Sequence, residues 1–163
     1  MSTESTIDFG TDCAAFTLTT RTWLPRPRSE VFAFFADAEN LDTLTPPWLK
    51  FHITSPRPIE MRKGARIDYK LRIHGLPVRW RTEITAWEPP LRFVDEQLRG
   101  PYRLWVHEHL FEEFDDGTTV WDKVRYRVPG GRWVNTLLVR RDLNAIFRYR
   151  QGRLQEAFQP GEP

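Results

Sequence analysis

The stretch Trp105-Val106-His107-Glu108-His109-Leu110-Phe111 decides how the chain is read. Side chains alternate across a strand, so Trp105, His107, His109 and Phe111 share one face. Leu104, Val106 and Leu110 share the other. Two imidazoles set between two aromatic rings offer polar groups to something other than bulk water. A half-wet sheet face with two satisfied histidines is the plainer reading of this strand alone. Its neighbours weigh against that reading, because they bring further polar groups to the same face.

After the strand, Asp116-Gly117 signals a hairpin and Thr118 to Val128 reads as the last strand. There Val120, Val124, Tyr126 and Val128 form an apolar face that also holds Asp122, while Thr119, Trp121, Lys123, Arg125 and Arg127 face water. Before it, the Gly100-Pro101 turn follows a strand from Leu91 to Leu98, in which Phe93, Asp95 and Gln97 share a face. Further upstream Ile67, Tyr69, Leu71 and Ile73 alternate with charged residues between Ala65 and His74. A tight turn at Gly75-Leu76-Pro77 then leads to Val78, Trp80, Thr82 and Ile84, and Pro89-Pro90 ends that strand. Phe51 and Ile53 make a short strand, and Ala14 to Leu24 a longer one at the start.

Pro25 and Pro27 stop the first strand, and Arg28-Ser29-Glu30 opens a helix carrying Val31, Phe32, Phe34 and Phe35. A second short helix over Asp37–Leu44 ends at Pro46-Pro47 and Trp48. Strands alone follow, so the pattern is not a parallel βαβ unit. Pro129-Gly130-Gly131 breaks the sheet. From Arg132 to Phe158 the spacing predicts one long helix with an apolar stripe of Val139, Leu143, Ile146, Phe147, Leu154 and Phe158. Residues 1–13 are expected as a flexible lead-in, 14–158 as a single domain and 159–163 as a flexible tail.

Two charges break these apolar patterns, Asp122 on the last strand and Arg150 inside the helix stripe. A buried charge costs several kcal/mol or more unless paired. The simplest resolution lays the helix over a concave sheet, where Arg150 meets a carboxylate. If the faces adjoin, Asp95, Gln97, His107, His109, Asp122 and Arg150 share an interior framed by Tyr69, Trp80, Phe93, Trp105, Tyr126 and Phe147. A few fixed polar groups in an apolar cleft describe a small-molecule site. A purely structural Asp122–Arg150 ion pair that fixes helix docking is the competing account. A one-residue slip in register would turn the whole set outward.

The remaining composition narrows the classes. The 163 residues carry 24 Lys and Arg against 22 Asp and Glu, interspersed without a basic run, which argues against nucleic acid. The single Cys13 excludes an internal disulfide, and no segment approaches a membrane span. Met1 to Asp12 is polar and acidic and lacks the features of a signal peptide, so the expected location is the cytoplasm. His-x-His invites a metal reading, but no third and fourth ligand stand at recognisable spacing, so neither a metal nor another cofactor is expected. Ser29 has no triad partners, and no glycine-rich phosphate loop follows a strand.

The order of strand, two short helices, six strands and long C-terminal helix resembles the helix-grip arrangement of the SRPBCC superfamily, also called START-like, Bet v I-like or polyketide cyclase/dehydrase-like. The resemblance runs from about Phe16 to Phe158. It is carried by Leu24–Ala36, Leu44-Thr45-Pro46-Pro47-Trp48, Trp87-Glu88-Pro89-Pro90, Phe93-Val94-Asp95-Glu96-Gln97, and Gly100-Pro101-Tyr102 with Trp105 and His107. Gly117-Thr118 with Asp122, Tyr126 and Pro129, and Ile146-Phe147-Arg148-Tyr149-Arg150, complete it. The nearest likeness is to bacterial stand-alone members, whose relatives sometimes accompany a nucleotide-sugar-epimerase-like domain.

The resemblance implies an α+β fold in which a seven-stranded antiparallel sheet grips the last helix around a cavity for a hydrophobic or amphipathic ligand. Three functions are open on this basis. One is a binding protein for a lipid, quinone, aromatic or polyketide-like molecule, whose anionic or polar end meets Arg150, His107 and His109. Another is a cyclase or dehydratase in which His107 or His109, paired with Asp95 or Asp122, acts as general base. The third is an interaction module with a vestigial cavity filled by Trp80, Trp105 and Phe147. A homodimer or an epimerase-like partner is also on the list of expectations.

Overall fold

In the computed structural model, which describes residues 5–159, β1 (Thr6–Asp12) and β2 (Ala15–Leu24) open the chain. They lead to α1 (Arg28–Ala36), α2 (Asn40–Leu44) and a 3-10 turn over Pro47–Leu49. Then come β3 (His52–Ile53), β4 (Arg66–Ile73), β5 (Leu76–Glu88), β6 (Arg92–Arg99), β7 (Leu104–Phe114) and β8 (Gly117–Arg127). The C-terminal helical segment runs as α3 (Gly131–Val134), a π-helical stretch (Asn135–Val139) and α4 (Arg140–Ala157). All neighbouring strands are antiparallel, in the order β1-β2-β8-β7-β6-β5-β4-β3. The helix-grip architecture is therefore as expected, with eight strands in place of seven.

The additional strand is β1, which falls where a loose lead-in was expected. Its sequence offers only Ile7 and Phe9 as apolar residues among Asp, Thr and Gly, too few to announce a strand locally. Tertiary contacts hold it instead. Ile7 pairs with Thr20 and Phe9 with Leu18, the Arg140 guanidinium sits 4.9 Å above the Phe9 ring, and Gln151 Nε2 donates to the Thr6 carbonyl. The expected tail lies outside the described residues from residue 160 onward.

Hairpin chemistry shifts two of the expected turns by one or two residues. His74 and Gly75 both take positive φ (49° and 81°) and make a two-residue turn, so Leu76 and Pro77 already pair in β5. Asp115 and Asp116 (51° and 57°) do the same before β8. Gly117 thus belongs to the strand, and there its missing side chain matters. A Cβ would lie 2.4 Å from the Leu24 carbonyl oxygen and 2.8 Å from the Trp23 ring. Thr119, expected in water, is buried, while Lys123, Arg125 and Arg127 on its face are exposed.

Register between the central strands confirms the inward faces. Asp95 pairs with His107, Phe93 with His109, His109 with Asp122, and Trp105 with Tyr126. Two irregularities in the β5–β6 pairing, between Arg81 and Thr82 and between Ile84 and Ala86, flank the stretch of β6 that carries Asp95. Such bulges sharpen local twist and re-aim side chains. On the helix, Leu143, Phe147 and Leu154 are buried as the stripe predicts, with Phe158 just beyond its end. The widened π-helical turn begins at Asn135, whose side-chain oxygen accepts a 2.9 Å hydrogen bond from the buried Tyr126 hydroxyl.

The glycines give a matched test of this packing. Gly117→Ala is expected to cost about 1–3 kcal/mol through overpacking, read as a lower urea midpoint. Gly152→Ala, in the helix with nothing within 4 Å of the added Cβ, should stabilise by about 0.5–1 kcal/mol.

Candidate functional site

A cavity of about 190 Å³ lies between the sheet and the last helix. Of the residues nominated from sequence, Tyr69, Trp80, Phe93, Asp95, Trp105, His107, His109, Phe147 and Arg150 line it. Tyr126, Asp122 and Gln97 do not. Tyr126 is fully buried against Asn135, and burial pushes its hydroxyl pKa up to about 12. Asp122 sits behind the imidazoles. Gln97 shares the face as expected, but its amide is spent on the turn that follows, donating to the Tyr102 carbonyl at 2.7 Å and accepting from the Tyr102 N–H at 3.2 Å.

One end of the cavity is aromatic. Tyr69 stacks on Trp80 with ring centroids 5.8 Å apart, and Trp80 meets Trp105 edge to face at 5.5 Å. Tyr102 closes the group at 4.7 Å from Trp105. These contacts set rings against one another in offset and T-shaped geometries, which resist sliding together. The space is accordingly left open, and Trp80, Trp105 and Phe147 form its walls without filling it.

The other end is polar and closely knit. The imidazoles of His107 and His109 lie with centroids 3.8 Å apart and planes tilted by 33°. Asp122 Oδ1 lies 2.9 Å from His107 Nε2 and 3.0 Å from His109 Nδ1. Asp95 Oδ2 lies 2.8 Å from His109 Nε2 and 3.7 Å from His107 Nδ1. Behind them Thr20 Oγ1 donates to Asp122 Oδ2 at 3.2 Å, and Arg150 approaches both Asp122 oxygens at 3.4 Å. Phe93 stacks on His109 at 4.1 Å, and Phe35 packs edge-on against the same ring at 6.0 Å.

Protonation follows from the partners. Both His109 nitrogens face carboxylate oxygens, which favours the protonated ring, while Arg150 Nη2 lies 3.5 Å from the same Nδ1 and works against it. Burial works against that charge more than any other single influence. The bonds to Asp122 and Asp95 together outweigh it, and the His109 pKa lies above the ordinary value. His107 is shifted down by burial first and by the charge on His109 second, against its bond to Asp122. That favours the neutral ring, and the 2.9 Å contact with Asp122 favours the tautomer in which Nε2–H donates there and Nδ1 is the acceptor. Asp95 and Asp122 are both held below the carboxylate range although burial alone would raise them. The His109 bond, with the positive charge of His109 and Arg150, lowers Asp95, and Arg150 followed by the bonds from both histidines lowers Asp122. Two carboxylates thus face Arg150 and a His109 ring whose surroundings favour its charged form.

Sequence reasoning missed Thr20, Thr82, Phe35 and Tyr102. Thr82 Oγ1 donates to the Glu96 carbonyl at 3.0 Å and reaches Asp95 Oδ1 at 3.3 Å, steadying the strand beside the carboxylate. For Thr20 the signal was present, as a hydroxyl at an inward position of the first strand. It pairs directly with Asp122 in the β2–β8 register. Tyr102 and Phe35 reach the cavity from a turn and a helix, where no strand alternation points to them.

Removing Asp122 strands two buried cations, so Asp122→Ala is expected to destabilise by about 3–5 kcal/mol. In a double-mutant cycle measured by urea unfolding, Asp122→Ala combined with Arg150→Met should cost at least about 1 kcal/mol less than the sum of the single changes. Additive costs would show the pair to be uncoupled.

The family model described as polyketide cyclase/dehydrase and lipid transport matches residues 24–158. No curated protein matches the chain. Among solved structures, a protein from Arthrobacter aurescens superposes with a TM-score of 0.71 at 13% identity, covering 95% of this chain and 93% of that one. Protein Ms6760 from Mycobacterium smegmatis gives 0.68 at 18%, covering 94% and 97%. A nucleoside-diphosphate sugar epimerase from Corynebacterium glutamicum gives 0.64 at 27%, over 85% of this chain but only 28% of that one. No described helix is long and apolar enough to cross a membrane. The extent of the family match and the helix-grip architecture together make this chain a member of the polyketide cyclase/dehydrase and lipid-transport family of the SRPBCC superfamily.

Proposed function

We propose that the chain binds a compact, largely apolar small molecule between sheet and helix, in the cytoplasm. Its ring or chain body lies among Tyr69, Trp80, Trp105 and Phe147, and its polar end on the Asp95–His107–His109 cluster. The cavity itself carries the reading: an aromatic end and a hydrogen-bonding end share one concave space. Its volume of about 190 Å³ favours one or two rings over a long-chain lipid. Because Arg150 and His109 are already balanced by Asp122 and Asp95, the matching end is a neutral hydroxyl or carbonyl group and not a free anion. An unpaired anion entering there would find no cation without a partner.

A second reading has its own support. Neutral His107, oriented through Nε2 by Asp122, holds a lone pair on Nδ1 at the cavity wall. That is the arrangement of a general base, as a cyclase or dehydratase would need. The epimerase likeness makes a sugar-nucleotide enzyme the first partner to test.

N-phenyl-1-naphthylamine and its sulfonated analogue 8-anilinonaphthalene-1-sulfonate share an aromatic body and differ in charge. With chelator present, fluorescence titration should show saturable binding of the neutral probe, tighter than the anionic one by about tenfold or more. Ile146→Trp, which places a larger ring in the cavity wall, should abolish it. Equal binding to the Ile146→Trp protein would place the probe elsewhere and overturn the reading. Native mass spectrometry of freshly purified protein identifies the natural occupant, and conversion of that molecule by wild type but not by His107→Ala would favour the enzyme.

A further inference from the structure

The His-x-His pair lacks a third donor in sequence, and the strand register supplies one. Asp95 stands opposite His107 on β6, and one ligand atom from each of Asp95, His107 and His109 falls within 4.8 Å of the other two. We propose that these three residues bind a divalent transition-metal ion at the polar end of the cavity, with Asp122 as the outer carboxylate that aims both imidazoles.

Donor spacing fits. An ion with bonds of about 2.1 Å in tetrahedral or octahedral geometry sets its donors about 3.0–3.4 Å apart. Asp95 Oδ2 lies 2.8 Å from His109 Nε2 and 3.7 Å from His107 Nδ1, on either side of that range. All three donors lie within 4.8 Å of one another, so side-chain adjustment without backbone movement would bring them onto one ion.

The far side of each imidazole makes the stronger case. A metal-binding histidine ordinarily gives its second nitrogen to a carboxylate or carbonyl, which fixes the ring and the donor atom. Here both second nitrogens, His107 Nε2 and His109 Nδ1, converge on the same oxygen of Asp122. The opposite nitrogens therefore turn together toward Asp95 and the cavity. Asp122 is anchored in turn by Thr20 and Arg150. Phe93 and Phe35 hold the His109 ring on its face and edge. A lone ion pair between α4 and the sheet would need one of these imidazoles at most.

Two imidazoles and one carboxylate select ions such as zinc, cobalt, nickel or ferrous iron over calcium or magnesium. Asp95, His107 and His109 all line the cavity, so the remaining coordination positions open toward its occupant. That is the pattern of a reactive or ligand-binding ion and not of a closed structural site. An ion there would hold or polarise an oxygen of the cavity's occupant.

The test is a titration of the chelator-stripped full chain with Co(II), read by visible absorption and calorimetry, with Zn(II) as competitor. It needs no organic ligand, so its outcome is independent of the probe titration above. Saturation at one ion per chain is expected, with displacement by Zn(II). Asp95→Ala, at a half-buried position, should still fold by circular dichroism and lose affinity by about 100-fold or more, and Asp122→Asn by about 10–100-fold. His74→Ala removes the exposed histidine that pairs with Asp142 at 2.7 Å and should change nothing. Absence of Co(II) binding, binding unaltered in folded Asp95→Ala, or binding lost in His74→Ala would each overturn the proposal.

Discussion

Asp122 is a carboxylate with 1% of its surface exposed, set in the middle of a β-sheet. Leaving water costs such a group several kcal/mol, and only close, well-placed partners offset that. Those partners come from three directions: Thr20 from the adjacent strand, two histidines from the other neighbour, and Arg150 from the helix above. Satisfying this one charge therefore fixes the β2–β8–β7 register, the rotamers of both imidazoles and the position of α4. Gln151, the next residue on the helix, donates to the carbonyls of Thr6 and Arg21 and to the Thr22 hydroxyl. Polar bonds thus fasten α4 to the half of the sheet made by β1, β2 and β8.

The cavity lies over the other half. Its sheet-side walls come from β4, β5, β6 and β7, and no residue of β1, β2 or β8 reaches it. There the helix meets the sheet through Phe147 and Ile146, and its polar contact is the exposed His74–Asp142 pair at the β4–β5 turn, not a buried network of the Asp122 kind. Tyr69, Trp80, Tyr102 and Trp105 brace one another in that region, so the sheet can hold its curvature without the helix settling onto it. A helix fastened by buried polar bonds along one side and propped by aromatic rings along the other is how this grip stays open. The same division places the charged cluster at the boundary between closed core and open space, where a buried network can meet a ligand.

Membership of the family supplies the shape and not the chemistry, since one fold hosts many functions. The chemistry of this chain lies in the paired carboxylates on either side of two closely set imidazoles. Asp95 on the cavity side and Asp122 on the core side give the rings unequal surroundings. Those surroundings raise the pKa of His109 and lower that of His107, although both come from one strand two residues apart. Environments that push like groups apart are what assign acid and base roles in a site.

Alternation along β7 and β8, the apolar stripe of α4 and the proline and glycine breaks determined the architecture, because period and turn chemistry are local properties. The same patterns marked Asp122 and Arg150 as charges out of place and the His-x-His pair as inward. Pairing and partner choice were decided only by tertiary structure. Gln97 has the same inward alternation as Asp95, yet a backbone turn a few residues on consumes its amide. Strand β1 carries too little apolar sequence to declare itself and forms because β2 and α4 offer it partners. Whether a histidine is charged, whether Asp122 opens to the cavity or backs its imidazoles, and whether space remains between sheet and helix all depend on distances between residues far apart in the chain. A linear pattern fixes which face a side chain takes, and only packing fixes what that face meets.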